Sequence, residues 1–254
     1  MSQSTQSPST RTSTRLRGAV VLVTGANGGL GEQFVQEALD RGAAKVYASA
    51  RSPRDWTDSR VVPLALDVTD DASVTAAAAA AGDTTVVVNN AGIAGTVPIA
   101  TGPMEQMRAI FEVDYFGAVA VARAFAPVLA ANGGGVLLNV HSVLSWIGIS
   151  GAYSAAKAAL WSATNSLRLE IAGDGTQVIG LHLGYTDTAM ARHAEGPKND
   201  PLDVVRAAYD GLEAGELEIL ADDISRTVKA GLSGPLSVLY PSVAPAHVPA
   251  PASA

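Results

Sequence analysis

Hydrophobic positions along the chain fall into short, nearly continuous runs at residues 19–23, 45–50, 61–66, 85–88, 136–140, 177–183 and 218–220. Rich in Val, Leu and Ile, such runs suit strands buried on both faces. Pro63 cannot donate to a ladder, so the third run belongs at a sheet edge. Between the runs, apolar residues recur at helical spacing over 32–41, 70–81, 104–131, 151–172 and from Pro201 to about Gly215. The boundaries carry helix signals. Asp70 or Asp71 can cap the second helix, Asp200-Pro201 places an N-cap before a proline at the first helical position, and Gly42, Gly82, Gly133, Gly173 and Gly215 follow helix ends. Strands alternating with helices through short links predict an α/β fold: a doubly wound, seven-stranded parallel sheet of Rossmann type in three α/β/α layers, with right-handed crossovers. No internal repeat or linker divides the body. Residues 17–240 read as a single domain, with a polar tail at 1–16 and a Pro/Ala-rich flexible tail at 241–254.

Composition narrows the function. Of the 254 residues, 48% are hydrophobic and only 16% charged, enough to bury a large core. The net charge of −7 repels phosphate backbones, which argues against nucleic acid as a partner. Without cysteine, the chain has no disulfide, thiol nucleophile or Cys-based zinc site, and it fits a reducing, cytoplasmic setting. The four histidines lack metal-ligand spacing, so no metal is expected. No apolar run reaches the roughly 18 residues of a membrane span. The Ser/Thr/Arg-rich start, free of acids, could be a transit peptide, but it holds too few apolar residues for an amphipathic helix and reads as a tail.

The first strand runs into Thr24-Gly25-Ala26-Asn27-Gly28-Gly29-Leu30-Gly31. Glycines at 25, 29 and 31 permit a tight turn, close backbone approach to a pyrophosphate and close helix packing, with the helix N-terminus aimed at the phosphates. At the end of the second strand, an NAD-type fold places an acid for the ribose 2′-hydroxyl. Here Ala50 is followed by Arg51, with Arg54 nearby. A guanidinium suits a 2′-phosphate, which favours NADP(H) over NAD(H).

Tyr153 and Lys157 lie four apart on a predicted helix and share a face. A phenol is protonated at neutral pH and can donate to a developing alkoxide, while a neighbouring ammonium stabilises the phenolate left behind. Ser142 stands just beyond the fifth strand, where open parallel sheets bind ligands, and can hydrogen-bond the substrate oxygen.

Taken in order, these motifs resemble the short-chain dehydrogenase/reductase family, in its compact single-domain branch, over residues 18–230. The T-G-x-x-x-G-x-G turn matches Thr24 to Gly31, N-N-A-G matches Asn89-Asn90-Ala91-Gly92, and the Ser and Y-x-x-x-K match Ser142, Tyr153 and Lys157. The resemblance implies that Gly25, Leu30 and Gly31 line the phosphates, Asp67 and Val68 the adenine, and Asn89, Ala91 and Gly92 the ribose and linker. It implies that Tyr153 is the general acid in reduction and the base in oxidation, and that Lys157 binds the nicotinamide ribose. Gly184-Tyr185-Thr186-Asp187-Thr188 corresponds to the segment holding the carboxamide and pyrophosphate. The chain departs from the family pattern at Asp114, where a water-holding Asn is usual, in the short Ser142-to-Tyr153 spacing of eleven, and at Leu183, where Pro is usual.

The expected substrate wall, Ile93, Val143, Leu144, Trp146, Tyr185 and Met190, is apolar, with a mobile lid over 190–199. It suits a neutral, hydrophobic ketone, aldehyde or secondary alcohol rather than a sugar phosphate or coenzyme A ester. Small residues at Ala155, Ala158, Ala159 and Ser162 let another helix pack close, and the family resemblance implies that such helices pair across subunits, in a homodimer or homotetramer. The competing reading is an NADP(H)-binding sensor or scaffold impaired in catalysis. A hydrolase is disfavoured, because His141 beside Ser142 has no G-x-S-x-G elbow around it and adjacent strand residues face opposite ways. His182 reads as a packing residue.

Overall fold

The computed structural model describes residues 15–192 and 194–242. Seven strands, β1 Val20–Thr24, β2 Lys45–Ala50, β3 Val61–Ala65, β4 Val86–Asn89, β5 Gly135–Val140, β6 Thr176–His182 and β7 Glu218–Leu220, form one parallel sheet. Its order is β3-β2-β1-β4-β5-β6-β7. The expected doubly wound architecture is therefore present, with Pro63 on the edge strand β3. The chain reverses direction across the sheet between β1 and β4, and the crevice beyond the carboxyl ends of those strands is where such folds bind ligands.

The strands are apolar throughout because the alternation of side chains feeds two separate cores. Val21, Val23, Val86, Val88, Val136, Leu138, Ile179 and Leu181 face one side. There α1 Gly29–Asp40 and α6 Pro201–Ala214 cover them, locked by the edge-on rings of Phe34 and Tyr209 at 5.4 Å. Leu22, Val87, Leu137 and Val178 face the other side with Phe125 and Leu129, under α2 Asp71–Ala80, α4 Ala118–Ala131 and α5 Ala152–Glu170. Each such buried side chain contributes about 2 kcal/mol from its apolar area.

Caps set the boundaries as the sequence suggests. The carboxylates of Asp70 and Asp200 accept from the backbone N–H of Ala72 and Leu202, and Gly215 closes α6 at φ 79°.

Three features depart from expectation. The region 104–131 is not a uniform helix: α3 Met104–Phe111 passes through a π-helical turn at Glu112–Gly117 before α4 begins. Two further helices, α7 Asp223–Gly231 and α8 Leu236–Leu239, follow β7. Leu16, assigned to the polar tail, is fully buried, and its N–H donates to Glu213 at 3.0 Å. The tail assignments at 1–14 and 243–254 lie outside the described residues.

Candidate active site

The glycine turn leaves β1 and enters α1 through Gly25 at φ 68° and Gly29 at φ 57°, a backbone region that side chains disfavour. A Cβ on Gly31 would stand 2.1 Å from the Gly25 carbonyl oxygen, so only glycine fits there. Gly28 offers no side chain to cap α1, leaving the first-turn N–H groups for an anion. The Asn89-to-Gly92 segment is stitched to this turn. Thr24 Oγ1 accepts from the N–H groups of Asn90 and Ala91, both at 2.9 Å, and Asn90 Nδ2 returns a bond to the Thr24 carbonyl at 2.8 Å. Across the turn, Thr188 packs 3.5 Å from where a Gly29 Cβ would sit. The result is a backbone-lined cradle closed on both sides, which fits a pyrophosphate.

At the rim beside β2, Asn27 Nδ2 donates to the Ser52 carbonyl at 2.8 Å. Arg54 lies over the Trp56 ring and pairs with Glu32 at 2.6 Å. Arg54 is thus already engaged, whereas Arg51 is exposed and close enough to Asp67 to help hold that carboxylate below its ordinary range, behind the larger effect of hydrogen bonds from Thr69. Val68 is buried, with its side chain and carbonyl against Gly117.

Ser142, Tyr153, Lys157 and Asp114 converge beyond β5. The Lys157 ammonium, buried, lies 3.1 Å from Asp114 Oδ1, donates to the Val140 carbonyl at 3.1 Å, and stands 5.7 Å from the centre of the Tyr153 ring. The π-helical turn delivers Asp114 to this point. Its other oxygen accepts from Ile93 N–H at 3.2 Å, and a Cβ on Gly92 would press to 2.7 Å from Oδ1. Extra-wide turns of this kind recur where a helix must aim one side chain at a site. The residue that departs from the family pattern is therefore the direct ion-pair partner of Lys157.

These placements set the protonation balance. Burial raises the Tyr153 phenol above its ordinary pKa. Lys157 and a hydrogen bond from Ser142 pull it down, while the Asp114 charge pushes it up again. Burial works against the Lys157 ammonium, yet Asp114 and Tyr153 outweigh it and hold that pKa high. The Asp114 carboxyl is pushed up by burial against the opposing pull of Lys157.

The six wall residues separate. Ile93, Tyr185 and Met190 are exposed around the site, whereas Val143, Leu144 and Trp146 are buried in a cluster with Val228. Trp146 corrects the expectation: its indole stacks on His182 with ring centres 4.0 Å apart, so it packs behind Ser142. Gly184, Tyr185 and Asn199 are drawn together. Asn199 N–H donates to the Tyr185 carbonyl at 2.8 Å, and Asp222 Oδ2 accepts from both Gly184 N–H at 2.6 Å and Asn199 Nδ2 at 2.5 Å. Thr188 faces the cradle beside Gly29, and Thr186, buried, donates to the Gly184 carbonyl. Asp222 escaped the sequence reading, although a carboxylate ahead of the Ile224 and Val228 pair is a readable helix start.

A crevice at the strand reversal, a glycine cradle and a phenol beside an ammonium define a nucleotide-binding oxidoreductase site. Comparison with known proteins agrees. Residues 19–199 match the short chain dehydrogenase family model. A short-chain dehydrogenase of Penicillium ochrochloron is 33% identical over 185 residues, covering 67% of this chain and 66% of that protein. The 1-deoxy-11-beta-hydroxypentalenate dehydrogenase of Streptomyces avermitilis is 33% identical over 201 residues, 72% of this chain and 74% of that one. The crystal structure of a short-chain dehydrogenase from Burkholderia cenocepacia in complex with NADP superposes with a TM-score of 0.83 at 36% identity, covering 87% of this chain and 95% of that one. The chain belongs to the short-chain dehydrogenase/reductase family.

Proposed function

We propose that the protein is an NADP(H)-dependent carbonyl reductase, equally able to run as a secondary alcohol dehydrogenase, acting on a neutral, hydrophobic ketone or aldehyde. The observation that carries this reading is the packing of the Tyr153 phenol between the Ser142 hydroxyl and the Lys157 ammonium. A nicotinamide bound in the crevice supplies the hydride. Gly25, Gly29, Leu30 and Gly31 would hold its pyrophosphate with backbone N–H groups, and Asn89, Ala91 and Gly92 would line the ribose side. Thr186 and Thr188 would close over it. Arg51, exposed beside the cradle, would pair with a 2′-phosphate, and this supports NADP(H).

Ser142 would donate a hydrogen bond to the substrate oxygen and so fix which carbonyl face meets the nicotinamide. As negative charge grows on that oxygen, Tyr153 transfers its phenolic proton there, and one hydride plus one proton yield the alcohol. Lys157 stabilises the resulting phenolate. Asp114 holds Lys157 in place and keeps it protonated. The exposed wall of Ile93, Tyr185 and Met190 is built of apolar and aromatic side chains, which favours an uncharged substrate.

A panel of hydrophobic ketones, aldehydes and secondary alcohols, run with NADPH and with NADH, tests the assignment through the absorbance of the reduced nicotinamide. Turnover faster with NADPH is expected. Tight cofactor binding without turnover of any panel member would favour a sensor instead.

A further inference from the structure

His182 ends β6 with its side chain fully buried, in a place that an apolar residue could fill. Burying an imidazole costs free energy unless its polar atoms are used. Two rings hold it: His141 stacks at 4.8 Å and Trp146 at 4.0 Å, the latter within 14° of parallel. Nδ1 lies 3.3 Å from the carbonyl oxygen of Ser142. Nε2 stands 3.5 Å from Glu218 Oε1, beyond a good hydrogen bond, and Glu218 is itself taken up by Trp161 Nε1 at 3.2 Å and Lys229 Nζ at 2.5 Å. Lys229 in turn lies over the rings of Trp146 and Trp161, 5.0 and 5.4 Å from their centres.

This assembly sits directly behind Ser142. The other restraints on that residue are local or weak: Ser145 N–H donates to the same carbonyl at 2.9 Å, Leu144 N–H donates to its hydroxyl at 3.1 Å, its N–H reaches Ser145 Oγ at 3.4 Å, and its hydroxyl reaches the Leu183 carbonyl at 3.5 Å and meets the Tyr153 phenol. Trp146 opens the short stretch that leads to Tyr153, so one imidazole supports both the serine and the start of that stretch.

We propose that His182 is a positioning residue for Ser142, its Nδ1–H holding the Ser142 carbonyl while the Trp146 indole and the stacked His141 imidazole fix the ring. The proposal rests on the reading of Ser142 as the hydroxyl that orients the substrate. A carbonyl is only an acceptor, so the contact exists as a hydrogen bond only when the proton is on Nδ1.

Two substitutions separate the ring's edges. His182→Asn keeps a donor near the Nδ1 position and gives up Nε2, whereas His182→Gln does the reverse. Both remove the same stacked ring, so both should lower the melting temperature by similar amounts. With the ketone that the parent protein reduces fastest, His182→Gln should lose about tenfold in kcat, as expected for a small misplacement of a reacting group, at unchanged KM for NADPH. His182→Asn should stay within about twofold of the parent. Equal losses in the two variants, or none in either, would overturn the proposal. A parent protein inactive on every ketone would instead sink the reading of Ser142 itself. Nitrogen-15 NMR of the parent decides the matter without activity and whether or not the variants fold: the ring proton should be found on Nδ1, and a neutral Nε2–H tautomer would refute the proposed bond.

Discussion

Asp114 places a carboxylate 3.1 Å from the ammonium that Tyr153 depends on. Its charge has two effects of opposite consequence. It keeps Lys157 protonated, and it raises the cost of forming phenolate on Tyr153. Reduction begins from the neutral phenol and is little hindered. Alcohol oxidation needs the phenolate as base, so its rate climbs only as pH passes the raised phenol pKa. Asp114→Asn removes the negative charge, lowers that pKa and should move the alkaline limb of the oxidation profile toward lower pH. The full pH dependence of kcat/KM for a secondary alcohol checks this. A limb that moves to higher pH, or not at all, would show that Asp114 does not tune Tyr153. The sequence singled out Ser142, Tyr153 and Lys157 from spacing and order, and Asp114 only through the family resemblance, as the position where Asn is usual. It could not show that Asp114 meets Lys157 directly, because that contact depends on the π-helical turn at Glu112–Gly117, which hydrophobic periodicity does not reveal.

Among the elements, β7 and α7 do more than finish the fold. Glu218 on β7 accepts from Trp161 and pairs with Lys229, and its carboxyl is held below its ordinary range against the opposing effect of burial. A carboxylate whose folded pKa lies below its ordinary 4.5 stabilises the fold fully above that value. The contribution fades as pH falls from 4.5 toward about 2. Glu218→Gln should therefore flatten the loss of stability across that window, measured by urea unfolding at a series of pH values. An unchanged acid slope would mean the carboxylate is as well solvated in the folded chain as in the unfolded one. The seven strands were readable because a sheet covered on both faces needs continuous apolar runs, as in Val86–Asn89. The burial of Leu16 was not, since one leucine in a polar stretch carries no periodicity and its contact with Glu213 spans nearly the whole chain. Nor could Trp146 be assigned, because an apolar aromatic beside a site fits a pocket wall and a packing role equally until His182 is seen beneath it.

Over the whole molecule, the exposed side of α5 stands out. Its inward face carries Lys157, Leu160, Thr164 and Leu167, while Ala155, Ser162 and Leu169 face outward, Leu169 with 85% of its surface exposed. Phe116, at the end of the π-helical turn, is exposed as well. We propose that a second copy of the chain covers this surface in a closed homodimer or homotetramer. Light scattering on the eluting protein should report a multiple of the 25.8 kDa chain mass, and Ala155→Arg should shift it toward the monomer. A parent protein that elutes as a monomer would rule the pairing out.

Proton transfer from one phenol is the central step of the proposed reaction, and Tyr153→Phe tests it most directly. The variant keeps the ring that packs against Val97, Met107 and Ala156 and loses only the hydroxyl. It should bind NADPH as the parent does while its kcat on the best ketone falls by about a hundredfold or more, the range of a lost general acid. A Tyr153→Phe variant that reduces the ketone at the parental rate would contradict the account.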